Sequence, residues 1–71
     1  MVRINGKEET AAGISLADYL KNNNYNPESI VIELNGEILN RNGYASVVLQ
    51  ENDVVEMVMF MGGGWFLFGF A

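Results

Sequence analysis

The sequence of 71 residues contains no cysteine and no histidine. Without cysteine there is no disulfide and no thiolate nucleophile, and without histidine the commonest general base and metal ligand is missing. Adjacent acids such as Glu8 and Glu9 are better explained as solvated strand positions, because no histidine is available to work with them. We therefore predict a protein that is not an enzyme, with no catalytic residue, no metal site and no bound cofactor.

Positive charge is also scarce, since four lysines and arginines stand against nine acids and give a net charge of −5. This balance argues against a nucleic acid partner and favours a basic protein partner. No apolar core follows the N-terminus, so no signal peptide is predicted. The uncharged stretch 57–71 is shorter than the roughly 20 residues of a membrane helix. We expect a cytoplasmic protein that binds neither nucleic acid nor membrane.

Two Asn-Gly dipeptides predict β-hairpins. Asn-Gly is the pair most favoured in two-residue hairpin turns, because both of its residues accept a positive φ. Asn5-Gly6 should join residues 1–5 to residues 7–11, and Asn35-Gly36 should join residues 30–34 to residues 37–39. The chain therefore contributes at least two strand pairs to a sheet.

A helix is predicted between the hairpins, from Leu16 to about Asn23. Ser15 has the position and chemistry of an N-cap, and Asp18 completes a pattern like a capping box. Spacings of three and four residues place three apolar side chains on one helix face, namely Leu16, Tyr19 and Leu20. We expect this short helix to cover one side of the sheet.

The last strand of the predicted sheet covers residues 54–61 and should lie centrally, beside the first strand. Glu56 should face solvent, which by alternation puts Val58 and Phe60 on the outer face. The core face then carries Val55, Met57 and Met59. A short helical turn within residues 44–49 should add apolar side chains to the core. These elements predict an α+β fold, with a mixed sheet of about four to five strands packed on one main helix.

Beyond the predicted domain, residues 1–61, the sequence changes character. Residues 62–64 are three glycines, which favour a flexible arm. Residues 65–71 form a hydrophobic extension with an aromatic cluster that a protease could recognise or that could fold back onto Val58 and Phe60. Those two residues could form a partner-docking patch, or could be covered by the tail or by a dimer mate.

Four segments together resemble the ThiS family, the sulfur carrier proteins of thiamine biosynthesis. They are the opening Val-Arg-Ile-Asn-Gly-Lys-Glu, the central Glu-Leu-Asn-Gly-Glu-Ile from Glu33 to Ile38, the Asp-Val-Val-Glu from Asp53, and the glycine arm. The likeness covers residues 1–64 and implies a ubiquitin-like β-grasp fold. The small subunit of molybdopterin synthase shares this fold and glycine tail, and is the nearest relative that could be confused with it.

The resemblance implies a function for the glycine arm. In the family an E1-like ThiF adenylyltransferase, which uses ATP and Mg²⁺, adenylates the carboxylate of the terminal glycine. The glycine becomes a thiocarboxylate and gives its sulfur to the thiazole synthase ThiG. By position Gly64 would carry the sulfur, and Gly62, Gly63 and Gly64 would form the tail that the activating enzyme recognises.

This chain departs from the family pattern because Gly64 is joined to Trp65 by a peptide bond. Three interpretations remain open: a precursor that a processing protease trims after Gly64, a protein that no longer transfers sulfur, or an extension foreign to the natural protein. Two alternative functions also remain, a molybdopterin-type sulfur carrier and a non-catalytic β-grasp interaction module with an uncleaved hydrophobic tail.

Overall fold

The computed structural model describes residues 1–61 and 64–67, and the side chains of residues 1–59. Its strands are β1 (Val2–Ile4), β2 (Lys7–Glu9), β3 (Ile30–Leu34), β4 (Glu37–Ile38), β5 (Val54–Met61) and β6 (Gly64–Leu67). The α-helix α1 covers Leu16–Asn22, and two 3₁₀ helices cover Pro27–Ser29 and Arg41–Ser46. Five strands follow the order β2-β1-β5-β3-β4, and β6 pairs with β5.

Both predicted hairpins are present, and their turns explain their register. Asn5 and Gly6 have φ values of 49° and 86°, and Asn35 and Gly36 have values of 52° and 89°. Two successive positive φ values define the tight turn that matches the twist of the flanking strands. The turns pair β1 with β2 and β3 with β4 in antiparallel ladders. Both second strands are shorter than predicted.

Helix α1 begins as the sequence predicts and ends one residue earlier, at Asn22. The backbone N–H of Asp18 donates to the Oγ of Ser15 at 3.1 Å, which satisfies one unpaired donor of the first turn. The three apolar side chains predicted for one face are buried, namely Leu16, Tyr19 and Leu20. They join the core with buried residues of the sheet such as Ile32 and Val55.

The link between β4 and β5 forms a helical turn, as predicted, but it starts earlier in the chain. The second 3₁₀ helix begins at Arg41, because the Asn40 side chain accepts a hydrogen bond from the Asn42 N–H at 2.9 Å and caps it there. Tyr44 and Leu49 are buried, so this link closes the core as expected.

Strand β5 is the centre of the sheet, as predicted. It pairs in parallel with β1 and antiparallel with β3. Val55 and Met57 are buried against the core, whereas Met59 on the same face is only partly buried. The α+β class, with a mixed sheet on one main helix, is therefore confirmed. The pairing of β6 with β5 adds a strand that the sequence did not predict.

Within the described part of the chain, no helix is long and apolar enough to cross a membrane.

Candidate functional site at the end of β5

The edge of β5 that faces β1 is held by both backbone and side-chain bonds. The Asn5 N–H donates to the Val55 carbonyl at 2.9 Å, which is the last ladder bond between the two strands. The Asn5 side chain then continues the ladder, since its Oδ1 accepts the Met57 N–H at 2.7 Å and its Nδ2 donates to the Met57 carbonyl at 3.4 Å. Asn5 is only 3% exposed. The buried side chain of Asn5 therefore makes the hydrogen bonds to β5 that the backbone of a further β1 residue would otherwise make.

The other edge of β5 is fixed at its beginning by the second hairpin turn. The Asn35 N–H donates to the Val54 carbonyl at 2.8 Å, and the Asn35 Oδ1 accepts the Val54 N–H at 2.9 Å. The Asn35 Nδ2 also donates to the Asp53 Oδ1 at 3.0 Å. The two Asn-Gly turns thus bond to β5 from opposite edges.

The C-terminal half of β5 has a different neighbour. Strand β6 runs antiparallel to it, with Met61 opposite Gly64, Phe60 opposite Trp65, Met59 opposite Phe66 and Val58 opposite Leu67. The predicted sulfur-carrying residue Gly64 is therefore the first residue of β6. The other two predicted tail residues, Gly62 and Gly63, lie outside the described residues, as do residues 68–71. Strand β6 spans the junction between the predicted arm and the predicted extension.

Val58, one of the two residues of the predicted docking patch, lies on the face of the sheet away from α1. Val58 is partly buried and stands opposite Val31 of β3. The backbone of Phe60 lies in β5, and its side chain is outside the described set. The same face carries Val54, which is 44% exposed, and Ile38, which is 71% exposed.

Sequence reasoning did not include Val54 and Ile38 in this patch. Val54 is two residues before Glu56, so the alternation that placed Val58 on the outer face also applies to it. Ile38 stands opposite Glu33 in the β3–β4 ladder, and only that pairing brings it to this face. Alternation along β5 was therefore enough to include Val54, whereas Ile38 could be placed on this face only from the structure.

Two carboxylates lie side by side on this outer face, because Glu33 of β3 stands directly opposite Glu56 of β5. Like charges in such a pair destabilise a sheet, typically by a few tenths of a kcal/mol up to about 1 kcal/mol. Arg3, on the neighbouring strand, pairs instead with Glu8 at 3.0 Å. The face therefore offers exposed apolar side chains and two carboxylates, which suits a partner surface with apolar and basic groups.

Two buried tyrosines have perturbed acidity but belong to the packing of the fold. Burial, followed by the hydrogen bond that its hydroxyl donates to Glu9 at 2.9 Å, raises the pKa of Tyr19 well above its usual range. Burial also raises the pKa of Tyr44, whose hydroxyl donates to the Ile30 carbonyl at 3.3 Å. Both phenols therefore stay neutral at physiological pH and act as structural donors.

An open cavity of about 530 Å³ lies between α1 and the two 3₁₀ helices. Leu20, Tyr25 and Tyr44 supply apolar walls, and the Arg41–Glu28 ion pair, at 3.2 Å, lies among its lining residues. Within the described part of the chain, the residues that line this cavity come from α1, from the two 3₁₀ helices and from the loop between α1 and the first 3₁₀ helix. The cavity is therefore separate from the end of β5. The candidate functional site is therefore the end of β5 with its outer face.

Comparison with known proteins identifies the family of the chain. The sequence model of the ThiS family matches residues 2–64. The chain is 33% identical over 67 residues to the sulfur carrier protein ThiS of Bacillus subtilis, a match that covers 90% of this chain and 100% of that protein. It is also 39% identical over 64 residues to a thiazole synthase of Magnetococcus marinus, which covers 89% of this chain but only 20% of that relative.

A solved structure extends the comparison to the fold. The crystal structure of the thiamine biosynthesis protein ThiS from Geobacter metallireducens superposes with a TM-score of 0.70 at 33% sequence identity, covering 89% of this chain and 97% of that one. The expected ubiquitin-like β-grasp fold is thereby confirmed. From the family match, the full-length similarity to a sulfur carrier and the shared fold, we conclude that the chain belongs to the ThiS family of sulfur carriers in thiamine biosynthesis.

Proposed function

We propose that this chain carries sulfur as a thiocarboxylate on Gly64 after residues 65–71 have been removed. The observation that carries the proposal is the position of Gly64. It is the residue at which the ThiS-family match ends, and it follows, within three residues, a central strand that is hydrogen-bonded on both edges. A rigid domain can present such a tail to a partner, and glycines let a narrow channel close around the backbone.

The first chemical step is hydrolysis of the Gly64–Trp65 peptide bond by a processing protease. Water adds across the bond, which leaves a carboxylate on Gly64 and a new amino terminus on Trp65. Without this step the carbonyl carbon of Gly64 is an amide carbon, and the carboxylate oxygen that attacks a nucleotide does not exist. The hydrophobic extension therefore keeps the carrier inactive until it is cut.

Activation and sulfur transfer follow on the freed carboxylate. A carboxylate oxygen attacks the α-phosphorus of ATP in an E1-like ThiF adenylyltransferase, and pyrophosphate leaves. A sulfur donor of the hydrosulfide class, supplied by the partner system, then attacks the carbonyl carbon, and AMP leaves as the C–S bond forms. ATP and Mg²⁺ belong to the partner, so this chain acts as a carrier rather than an enzyme. The thiazole synthase ThiG receives the sulfur.

The outer face of β5 supplies the docking surface for these partners. Val58 and Phe60 lie on the strand that ends in the tail, and Val54 and Ile38 widen the apolar area. The Glu33 and Glu56 carboxylates should meet basic groups of the partner, which would offset the repulsion that they exert on each other. Binding through this face would aim the tail at the partner's active site.

The test is the intact mass of the chain after incubation with an activating enzyme, ATP, Mg²⁺ and a sulfide donor. A chain that ends at Gly64 should gain the mass difference of sulfur replacing oxygen, whereas the chain that retains residues 65–71 should not change. Gly64→Ala in the shortened chain should abolish the product, because the tail would no longer be free of side chains. Gly43→Ala is the matched control, since a Cβ at Gly43 meets no atom within 4 Å.

Normal thiocarboxylate formation on the Gly64→Ala variant would contradict the assignment of Gly64. The processing step has its own test, the intact mass of the protein isolated from its native cells. A species that ends at Gly64 would support processing. If every isolated chain retained Trp65 to Ala71, the carrier proposal would lose its chemistry.

A further inference from the structure

The two edges of β5 are unequally covered along its length. On one edge β3 pairs with β5 from Val55 to Met59. On the other edge β1 pairs only with Val54 and Val55, and the Asn5 side chain reaches Met57. Beyond Met57, the described residue pairs on this edge come from β6 alone. The second half of β5 therefore has an edge that β1 leaves open.

Alternation along β5 identifies the backbone groups on this edge. The Met57 N–H and carbonyl both bond to Asn5, so they face the β1 side. Because successive residues of a strand point to opposite edges, the N–H and carbonyl groups of Met59 and Met61 face the same side. Their partners in β6 are Phe66 and Gly64, which form the hydrogen-bonded pairs of the ladder.

We propose that this edge of β5, from Met57 to Met61, is a strand-binding surface, which β6 occupies in the unprocessed chain and an extended, uncharged strand of a partner protein occupies once residues 65–71 are removed. The proposal rests on the proposed function only for the removal of residues 65–71. Addition of an extended segment to an open sheet edge is a general mode of peptide recognition, with main-chain hydrogen bonds as the source of affinity.

The chemistry of the edge supports a strand as the occupant. Proteins protect exposed edge strands with charge, proline or a bulge. From Met57 to Met61 β5 carries no charged residue and no proline, and its side chains are methionine, valine and phenylalanine. Within the chain the occupant is itself an uncharged segment, Gly-Trp-Phe-Leu. An edge of this kind needs a partner strand whenever β6 is absent.

A second copy of the chain is a weaker match for the same edge. Each copy has a net charge of −5, so two copies that meet edge to edge would repel each other. A partner protein with neutral or basic surroundings avoids this cost.

Two proline variants of the full chain test the proposal. Phe66→Pro removes the N–H that faces Met59 and should release β6 from the edge. Leu67→Pro is the matched control, because the N–H of Leu67 faces away from β5 and its loss leaves the ladder donors in place. Both variants keep Trp65, the single tryptophan, as a fluorescent reporter.

The first readout is hydrogen exchange of individual amides, measured by NMR. The Met59 and Met61 amides should exchange about tenfold faster in the Phe66→Pro variant than in the unaltered chain and in the Leu67→Pro variant. The Glu56 and Val58 amides face β3 and should keep their protection in all three chains, which shows that the sheet is intact. Equal exchange of Met59 and Met61 in both proline variants would overturn the role of β6.

The second readout is binding of a blocked synthetic peptide with the sequence of residues 64–67 and two added lysines for solubility. The peptide should shift the Met59 and Met61 signals of the Phe66→Pro variant and bind it about tenfold more tightly than the other two chains. A control peptide with proline in place of its phenylalanine should not bind.

Two results would overturn the proposal: equal binding of the peptide to all three chains, or a concentration-dependent dimer of the Phe66→Pro variant that buries the edge instead. Neither readout involves ATP or thiocarboxylate formation. A negative result in these two readouts would therefore not contradict the proposed sulfur chemistry. A negative result for that chemistry would likewise not contradict the strand-binding edge.

Discussion

The two halves of β5 are similar in sequence and different in how they are held. From Val54 to Met57 the strand has β1 on one edge, β3 on the other, and two asparagine side chains bonded to its backbone. From Val58 to Met61 the β1 edge is taken by β6 instead. The first half is thus a structural anchor, whereas the second half is the part that we propose is presented to a partner.

The largest loss of stability is expected at the position where the first half of β5 packs against the core. Met57 is 1% exposed, whereas Met59, on the same face two residues later, is only partly buried. Met57→Ala should therefore lower the free energy of unfolding by about 2–5 kcal/mol, because it leaves a cavity. Met59→Ala should cost about 1 kcal/mol or less. Urea denaturation of both variants measures the difference.

This pair is well matched, since residue type, strand and face are the same. The denaturant m-value should stay unchanged in both variants, which shows that neither changes the surface exposed on unfolding. Equal losses of stability at Met57 and Met59 would mean that the core continues to the end of β5, and the contrast between the two halves would fail.

The next effect concerns the side chain that continues the β1 ladder. Asn5→Gly removes both hydrogen bonds to Met57 while keeping a residue that accepts the φ of 49°. Because a buried N–H and carbonyl are left without this partner, the free energy of unfolding should fall by about 2–3 kcal/mol. Asn5→Ala should cost about 1 kcal/mol more, owing to the positive φ.

Thermal or urea denaturation of the two Asn5 variants separates side-chain bonding from backbone strain. If Asn5→Gly were as stable as the unaltered chain, the side chain would contribute only its tolerance of the turn conformation. The anchor on this edge would then rest on the backbone bonds of β1 alone.

The second hairpin offers the same dipeptide in a different environment. Asn35 has a φ of 52° and also bonds to β5, but it is exposed, so water can replace its lost bonds. Asn35→Gly should therefore cost about 1 kcal/mol, less than Asn5→Gly. The same denaturation experiment compares the two turns directly. A cost at Asn35 equal to that at Asn5 would contradict the role given to burial.

Local patterns were sufficient to predict most of the fold. Two Asn-Gly dipeptides located both hairpins, Ser15 located the start of α1, and alternation around Glu56 assigned the faces of β5. Each of these signals acts over a few neighbouring residues. This is why they can be read without knowing the tertiary structure.

What the sequence did not predict depends on distant pairings. The Asn5 side chain bonds to a residue 52 positions away. Strand β6 forms on an edge that is open only because β1 ends at Ile4. Ile38 reaches the outer face through its pairing with Glu33. The chemical role of Gly64 stays a prediction, because it depends on a cut and on partners outside this chain.

An effect similar to that at Asn35 is expected on the β2 side of the first hairpin. The Tyr19 hydroxyl donates to Glu9 at 2.9 Å and so ties α1 to β2. Tyr19→Phe should cost only about 0.5–1.5 kcal/mol at neutral pH, the usual net value of one hydrogen bond. Its distinct signature is the dependence of stability on alkaline pH.

The sign of that dependence follows from the raised pKa of Tyr19, for which burial is the larger cause and Glu9 the smaller. The folded chain holds the phenol proton more tightly than the unfolded chain, so stability is complete below the unfolded pKa of about 10 and falls as the pH rises above it. Tyr19→Phe should flatten this fall, measured by urea denaturation at several alkaline pH values. Glu9→Gln keeps an acceptor but removes the charge, and because burial dominates, it should keep most of the fall. If the stability of the Glu9→Gln variant depended on alkaline pH as little as that of Tyr19→Phe, the carboxylate would be the main cause of the raised pKa. The first hairpin would then be tied to α1 chiefly through charge.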